Sequence, residues 1–165
     1  MVAAGLTGVY AETIPNFEVL TLVVFCSGVL LGGRDGALVG AVTMLVFSLL
    51  NPYGPAHPLI TATQVAGEIL AGLAGGAFAV AGLAGAPVPW RAAAMALVGG
   101  ALTVIYDFIT NLATGLLFGQ LRATLVGGIP FALWHIGTNV ALFGTVGVPL
   151  AGVFAHYRSR LSSSR

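Results

Sequence analysis

The chain contains no lysine, a single cysteine and very few acidic residues. Its 165 residues include six basic residues, all of them arginine, and five acidic residues, for a formal net charge of +1. Charged residues make up 7% of the chain, whereas soluble domains carry about 25%. A water-facing surface is therefore excluded, and the lack of a basic run argues against nucleic acid as a partner. Because Cys26 is the only cysteine, an internal disulfide and a thiolate metal cluster are excluded as well.

Apolar residues dominate what remains. They form 58% of the chain, and the mean hydropathy is +1.00. Residues 1–11 lack the basic start of a cleavable signal peptide. We therefore predict an all-α polytopic membrane protein, with one transmembrane domain over residues 1–157 and a short cytoplasmic tail over 158–165. The six predicted transmembrane segments are 2–13, 17–31, 36–50, 59–83, 90–118 and 123–157.

The breaks between these segments are rich in glycine and proline. Residues 32–35 predict a tight polar turn, and residues 51–58, with three prolines, predict an ordered loop. The sixth segment carries Pro130 near its start and Pro149 further on, and it is long enough to contain a break or a re-entrant piece. The first segment is short for a span, which needs roughly 20 residues.

The arginines indicate the orientation. Five of them follow the second, fourth or sixth segment, and only Arg122 lies in a loop on the other side. Cytoplasmic loops carry the excess of basic residues in membrane proteins. The sequence thus predicts a six-helix bundle with both termini in the cytoplasm, in a bacterial or archaeal cell membrane. The 51–58 loop and the linker before the second segment would then face outward.

Three polar pairs interrupt the apolar segments, each with a spacing of four residues. On a helix such a pair points the same way, one turn apart. A charged side chain costs at least ~2.5–3.5 kcal/mol at the bilayer centre, so these groups are candidates for a functional site rather than for packing alone. Their depths overlap at ~1.5 Å per residue, which predicts a cavity open to the outside. The pairs are Gln64 with Glu68, Asp107 with Asn111, and His135 with Asn139.

Further candidates lie beside the pairs and in the outer loops. Each has an alternative role: a structural hydrogen bond for the buried groups, or a helix cap for Glu18. Small residues four apart also favour close helix contact, within the bundle or with a partner, and Ala4 with Gly8 is the pair assigned to docking. The additional candidate ligand contacts are Trp134 in the sixth segment and Asn16, Glu18, Asn51 and Tyr53 in the loops.

Two stretches of the sequence resemble a known family. One is Ile14-Pro15-Asn16-Phe17-Glu18-Val19-Leu20-Thr21 before an apolar helix, and the other is the glycine-spaced run from Leu30 to Gly40. Together with six segments in this length, they resemble the substrate-binding S component of energy-coupling factor (ECF) transporters. The resemblance implies a subunit that captures a vitamin or related micronutrient from outside, without a cofactor of its own. It also implies partners: a transmembrane coupling protein, docked through the first helix at Ala4 and Gly8, and two ATPase subunits.

Two other functions stay open at this stage. Glu68, Asp107 and His135 are a conceivable metal triad or acid/base set for an intramembrane hydrolase, although no His-Glu-x-x-His or Gly-x-Ser-x-Gly motif is present. A small oligomeric secondary transporter is the other alternative, although no inverted repeat is evident. A non-enzymatic binding subunit is the main prediction. Its ligand would be a flat nitrogen heterocycle such as thiamine, a pyridoxine-like compound or a pyrimidine.

Overall fold

The computed structural model describes residues 1–10, 19–52 and 54–163. Every regular element in these ranges is helical, as the sequence predicts. A single 3-10 turn, Leu83–Gly85, separates the fourth and fifth helices. The helices are α1 (Val2–Tyr10), α2 (Leu20–Leu31), α3 (Gly33–Leu49), α4 (Pro58–Val80), α5 (Val88–Leu117), α6 (Leu121–Gly127), α7 (Ile129–Gly144) and α8 (Gly147–Ser163).

Two of these helices are long and apolar enough to cross a membrane. They are α4, with 23 residues, and α5, with 30, which at ~1.5 Å per residue are about 35 and 45 Å long. Helices α6 and α7 pass the same test as a pair, bent by 44° at their junction, so they count as a third candidate span if the pair is one crossing. Large apolar side chains such as Val80, Trp90 and Leu97 are exposed on the long helices, as lipid-facing residues would be.

Glycines bring the backbones of α2, α3 and α4 into close contact. A Cβ atom added to Gly36 would lie 2.5 Å from Gly28 Cα, and one added to Gly72 would collide with the Gly36 backbone. Gly76 is equally close to the Gly33 backbone. Small residues allow such contact where lipid offers no hydrophobic drive for helix association. These contacts also make α2 parallel to α4, with α3 antiparallel to both.

Helix α5 packs along α7 and then α8 in an antiparallel register. Asp107 faces His135, and a Cβ on Gly99 would lie 2.5 Å from the Phe143 ring. Further along, Gly147 of α8 lies against Met95. Phe25 of α2 joins the two halves of the bundle, because its ring packs edge-on against Phe78 and Phe143 with both centroid distances at 5.3 Å.

Several predicted boundaries need correction. The turn over 32–35 is a one-residue break at Gly32, where φ is +100°, and α3 begins at Gly33. The sixth segment is three helices, interrupted at Gly128 and again before Gly147. The last of them, α8, extends to Ser163, into the stretch assigned to a tail.

Helix ends define two ends of the bundle. The loop end is where residues 50–57 join α3 to α4, and α5 finishes and α7 begins there too. The opposite, arginine end carries Arg34 after α2, Arg91, which donates to the Ala84 carbonyl, and Arg158, which donates to the Val29 carbonyl. Arg122, on α6, lies at the loop end. Of the arginines whose side chains the structure describes, Arg34, Arg91 and Arg158 therefore lie at one end and Arg122 at the other.

Candidate functional site

One open cavity of about 440 Å³ lies at the loop end, between α4, α5 and the α6–α7 junction. Its volume is within the range of 300–1,000 Å³ that is usual for small-molecule sites. Members of all three polar pairs reach it. The lining residues are Gln64, Tyr106, Asp107, Thr110, Asn111, Gly128, Phe131, Ala132 and His135.

A side-chain contact in the cavity wall joins α5 to α7. His135 Nδ1 lies 2.9 Å from Asp107 Oδ1, and both side chains are mostly buried. Tyr106 packs edge-on against the His135 ring, with the ring planes at 89°. These contacts hold the imidazole in one orientation on the cavity wall.

The remaining polar groups make the wall rich in hydrogen-bond acceptors. The Thr110 hydroxyl donates to the Tyr106 carbonyl at 2.8 Å, so its lone pairs stay available. The buried Asp107 Oδ2 accepts no hydrogen bond from the described residues. No lysine or arginine is among the lining residues. The Gln64 Oε1 atom accepts a hydrogen bond from the Ser48 hydroxyl. Gln64 therefore offers its amide NH₂ group, which is a donor.

The first polar pair divides between cavity and core. Gln64 lines the cavity, whereas Glu68, one turn further from the loop end, is 1% exposed and is not a lining residue. Its Oε1 accepts a hydrogen bond from the Thr21 hydroxyl at 2.9 Å, and Gly40 of α3 packs against its backbone. Glu68 therefore links α2 and α4 beneath the cavity.

The third pair divides in the same way. His135 lines the cavity, but Asn139, one turn below it on α7, is fully buried. Its two amide atoms make no hydrogen bond with the described residues. Trp134 points elsewhere, with 54% of its surface exposed. The sequence predicts Asn139 and Trp134 as ligand contacts, but neither residue lines the cavity in the structure.

The predicted loop residues are outside the cavity wall or outside the described ranges. Asn51 lies in the loop between α3 and α4, where its carbonyl accepts from Gly54 N–H at 2.9 Å, and it is not among the lining residues. Asn16, Glu18 and Tyr53 fall outside the residues that the structure describes.

Besides the predicted contacts and Tyr106, which neighbours Asp107 in the sequence, four residues line the cavity: Thr110, Gly128, Phe131 and Ala132. Helical spacing offers a signal for three of them, because Thr110 is three residues from Asp107 while Phe131 and Ala132 are four and three residues from His135. Gly128 is recognisable only once the break between α6 and α7 is known.

The predicted docking pair lies on α1. Ala4 is exposed, and Gly5 is the residue that packs inward. A Cβ atom added to Gly5 would lie 2.9 Å from both the Leu20 and the Thr43 side chain. Gly8 lies one turn further along the same helix. The Tyr10 hydroxyl donates to the Leu50 carbonyl, which ties the end of α1 to the loop end.

The metal triad considered from the sequence is not assembled in the part of the chain that the structure describes. Within those ranges no three His, Cys, Asp or Glu side chains are grouped so that they could hold a metal ion. Asp107 and His135 are together, but Glu68 is directed toward Thr21 of α2.

Comparison with known proteins assigns no family to the chain. No family model, no curated protein and no solved structure matches the chain. Its function must therefore be argued from the cavity and the helices around it.

Proposed function

We propose that this protein captures a vitamin-like small molecule in the loop-end cavity, as the substrate-binding S component of an ECF-type importer. The observation that carries the proposal is the convergence of Gln64, Asp107, Asn111 and His135, from three helices, on one open cavity. Ionisable groups in apolar helices are costly, and they are by default candidates for a functional site.

The cavity chemistry favours a ligand that donates hydrogen bonds. Asp107 Oδ2 and the Thr110 hydroxyl present acceptors, and no lysine or arginine lines the cavity; His135 contacts Asp107 through Oδ1 alone. At roughly 30 Å³ per water-sized group, a cavity of about 440 Å³ holds a molecule of about fifteen non-hydrogen atoms. An amine-bearing or cationic nitrogen heterocycle fits this size, and Tyr106 and Phe131 offer it aromatic contact.

The membrane arrangement belongs to the same proposal. The chain would cross the bilayer with six segments: α1 to α5, and the broken series α6–α8. The arginine end would face the cytoplasm under the positive-inside rule, with both termini on that side and the cavity opening outward. Energy would come from a coupling protein with two ATPases, docked at the exposed Ala4 face of α1.

Ligand capture is tested first with the purified protein. Small molecules that co-purify in detergent are identified by mass spectrometry and then titrated by calorimetry. Asp107→Asn should weaken binding about ten- to hundredfold, because a hydrogen bond to a charged group contributes roughly 1.5–3 kcal/mol. Asp35→Asn is the matched control, since Asp35 is exposed in the first turn of α3, at the arginine end.

Uptake by whole cells tests the coupling. Cells that express this chain with the coupling protein and ATPases of its own genome should accumulate the identified ligand, and Ala4→Leu should reduce uptake without changing affinity. Uptake that needs neither the coupling protein nor the ATPases, and that follows the proton gradient, would instead favour a secondary transporter. In such a transporter the Asp107–His135 pair would carry the proton. Absence of any bound ligand, with equal behaviour of Asp107→Asn and Asp35→Asn, would refute capture at this cavity.

A further inference from the structure

Ser48 of α3 donates its hydrogen bond to another helix. The Ser27 and Thr103 hydroxyls donate to the carbonyl four residues back in their own helices, which is a common arrangement for a hydroxyl inside a helix. The Ser48 hydroxyl instead donates to Gln64 Oε1 of α4 at 3.1 Å. Ser48 is 1% exposed, and its backbone carbonyl accepts from the Ala56 N–H at 3.2 Å. Burial and this backbone contact keep the Ser48 hydroxyl in one place.

The hydrogen bond from Ser48 decides which end of the Gln64 amide reaches the cavity. The terminal torsion of glutamine is broad and roughly two-fold, so an amide that nothing holds can present either its oxygen or its nitrogen. Because Oε1 accepts from Ser48, the NH₂ group is the end that is presented. Gln64 is the one lining residue that α4 contributes in the described part of the chain. The α4 wall of the cavity is therefore a hydrogen-bond donor.

The wall formed by α5 and α7 has the opposite character. The buried Asp107 Oδ2 accepts no hydrogen bond from the described residues, and the Thr110 hydroxyl donates its proton to the Tyr106 carbonyl. A Cβ atom added to Gly128 would meet Asn111 Nδ2 at 2.8 Å, nearer than any other atom of that side chain. The Asn111 donor thus faces the break between α6 and α7. The cavity therefore has a direction, with a donor on the α4 wall and acceptors on the α5–α7 wall.

We infer that Ser48 is a positioning residue that gives the cavity this direction, and that the ligand is a flat heterocycle with an amino group on one edge and a carbonyl-type acceptor on another. This inference rests on the proposed capture function and specifies its substrate class. The amino group donates to Asp107 and Thr110, while the acceptor receives the Gln64 NH₂ group. A ligand with donors on both edges would set a donor against the Gln64 donor, and covering a polar group without a partner costs more than one hydrogen bond gains.

Three uncharged pyrimidines separate the two edges. 1-Methylcytosine carries both the amino group and the carbonyl, 4-aminopyrimidine lacks the carbonyl, and 1-methylpyrimidin-2-one lacks the amino group. Affinities are measured by isothermal titration calorimetry on the full chain in nanodiscs. The wild type should bind 1-methylcytosine on the order of fivefold more tightly than 4-aminopyrimidine, which is the affinity equivalent of one neutral hydrogen bond. This ratio is called the carbonyl preference below.

Removal of the Ser48 hydroxyl tests the positioning role. Ser48→Ala should lower the carbonyl preference to within about twofold of one, because the Gln64 amide can then turn its oxygen toward the ligand. Ser27→Ala is the matched control. It removes an equally buried hydroxyl that donates to the Val23 carbonyl of its own helix, and it should keep the wild-type preference.

Two further variants test the walls without changing Ser48. Gln64→Glu puts a carboxylate oxygen where the NH₂ group is, so 4-aminopyrimidine should bind more tightly than 1-methylcytosine. This reversal compares two probes on one variant, and a loss of stability would not produce it. Asp107→Asn should keep the carbonyl preference but reduce the preference for 1-methylcytosine over 1-methylpyrimidin-2-one, since the amino group loses its charged acceptor.

The outcomes distinguish this inference from the capture function. If Ser48→Ala keeps the wild-type carbonyl preference, or Ser27→Ala loses it equally, the positioning role of Ser48 is wrong. If Gln64→Glu does not reverse the preference, the direction of the cavity is wrong, while a preference for the amino group that depends on Asp107 would still support capture. If none of the three probes binds, the inferred substrate class is wrong. Capture itself fails only if no ligand co-purifies and Asp107→Asn behaves as Asp35→Asn does.

Discussion

A single missing side chain shapes the wall of the cavity. Gly128 lies at the break between α6 and α7, lines the cavity, and leaves the space that the Asn111 amide occupies. Its neighbour Gly127 has no atom of another group within 4 Å of an added Cβ. Two adjacent glycines in the same bend therefore differ only in what faces them.

This difference yields a prediction for ligand binding. Gly128→Ala should weaken binding several-fold, because the new methyl group would lie 2.8 Å from Asn111 Nδ2 and 2.9 Å from the Thr124 carbonyl and must displace the amide. Gly127→Ala should bind as the wild type does. Calorimetry with the ligand identified by mass spectrometry measures both affinities. Equal affinities for the two variants would show that Asn111 does not depend on the space at Gly128.

Residue spacing predicted the direction of the polar pairs but not their depth. Members of a pair share a helix face, yet they are one turn, about 5.4 Å, apart along the axis. The floor of the cavity lies at the Asp107–His135 contact. Glu68 and Asn139 fall below that floor, whereas Asp107 and Asn111 are both at or above it. Depth depends on how the helices slide against one another, and a single sequence does not contain that information.

At the scale of helices, the glycine contacts of α2, α3 and α4 set the packing. An added Cβ at Gly72 would collide with the backbones of Gly36 and Ala37, which cannot move away as a flexible side chain can. Gly137 of α7 is an exposed helical glycine with nothing within 4 Å. These two positions form a matched pair for measuring close packing.

Thermal unfolding in detergent should separate them clearly. Gly72→Ala should destabilise the protein by about 3 kcal/mol, the upper part of the range for overpacking, and the variant should unfold at a much lower temperature or fail to accumulate. Gly137→Ala should unfold at the same or a slightly higher temperature, since alanine is favoured over glycine in a helix by roughly 0.5–1 kcal/mol. A similar loss in both variants would point to a general intolerance of substitution rather than to backbone contact.

The elements themselves were largely predictable. Apolar runs identified α4 and α5 to within about three residues, because proline and glycine at 51–58 and 85–89 end them unambiguously. The helix boundaries that need correction lie where a single backbone angle or bend, rather than a change in hydropathy, ends a helix. A single glycine at positive φ separates α2 from α3, and the sixth segment bends by 44° at Gly128 without losing its apolar character.

For the whole molecule, the arginine end and the loop end make the orientation testable. Gly85→Cys lies between α4 and α5 at the arginine end, and Pro55→Cys lies in the α3–α4 loop; both positions are exposed. A membrane-impermeant maleimide should label Pro55→Cys in intact cells and Gly85→Cys only after permeabilisation. The native Cys26 is 1% exposed and should stay unlabelled. The reverse pattern would place the cavity on the cytoplasmic side and exclude capture from outside.

Under the proposed capture function, the glycine contacts also bear on which positions can change when the ligand changes over evolution. Helices α2, α3 and α4 touch backbone to backbone, and substitutions at those glycines are penalised whatever the ligand. The cavity takes only Gln64 from those helices, and its other lining residues lie on α5, on α7 and at Gly128. Selection can therefore change residues of the α5–α7 wall one at a time while the glycine contacts of α2, α3 and α4 stay constant. The substrate could then change without a change of fold.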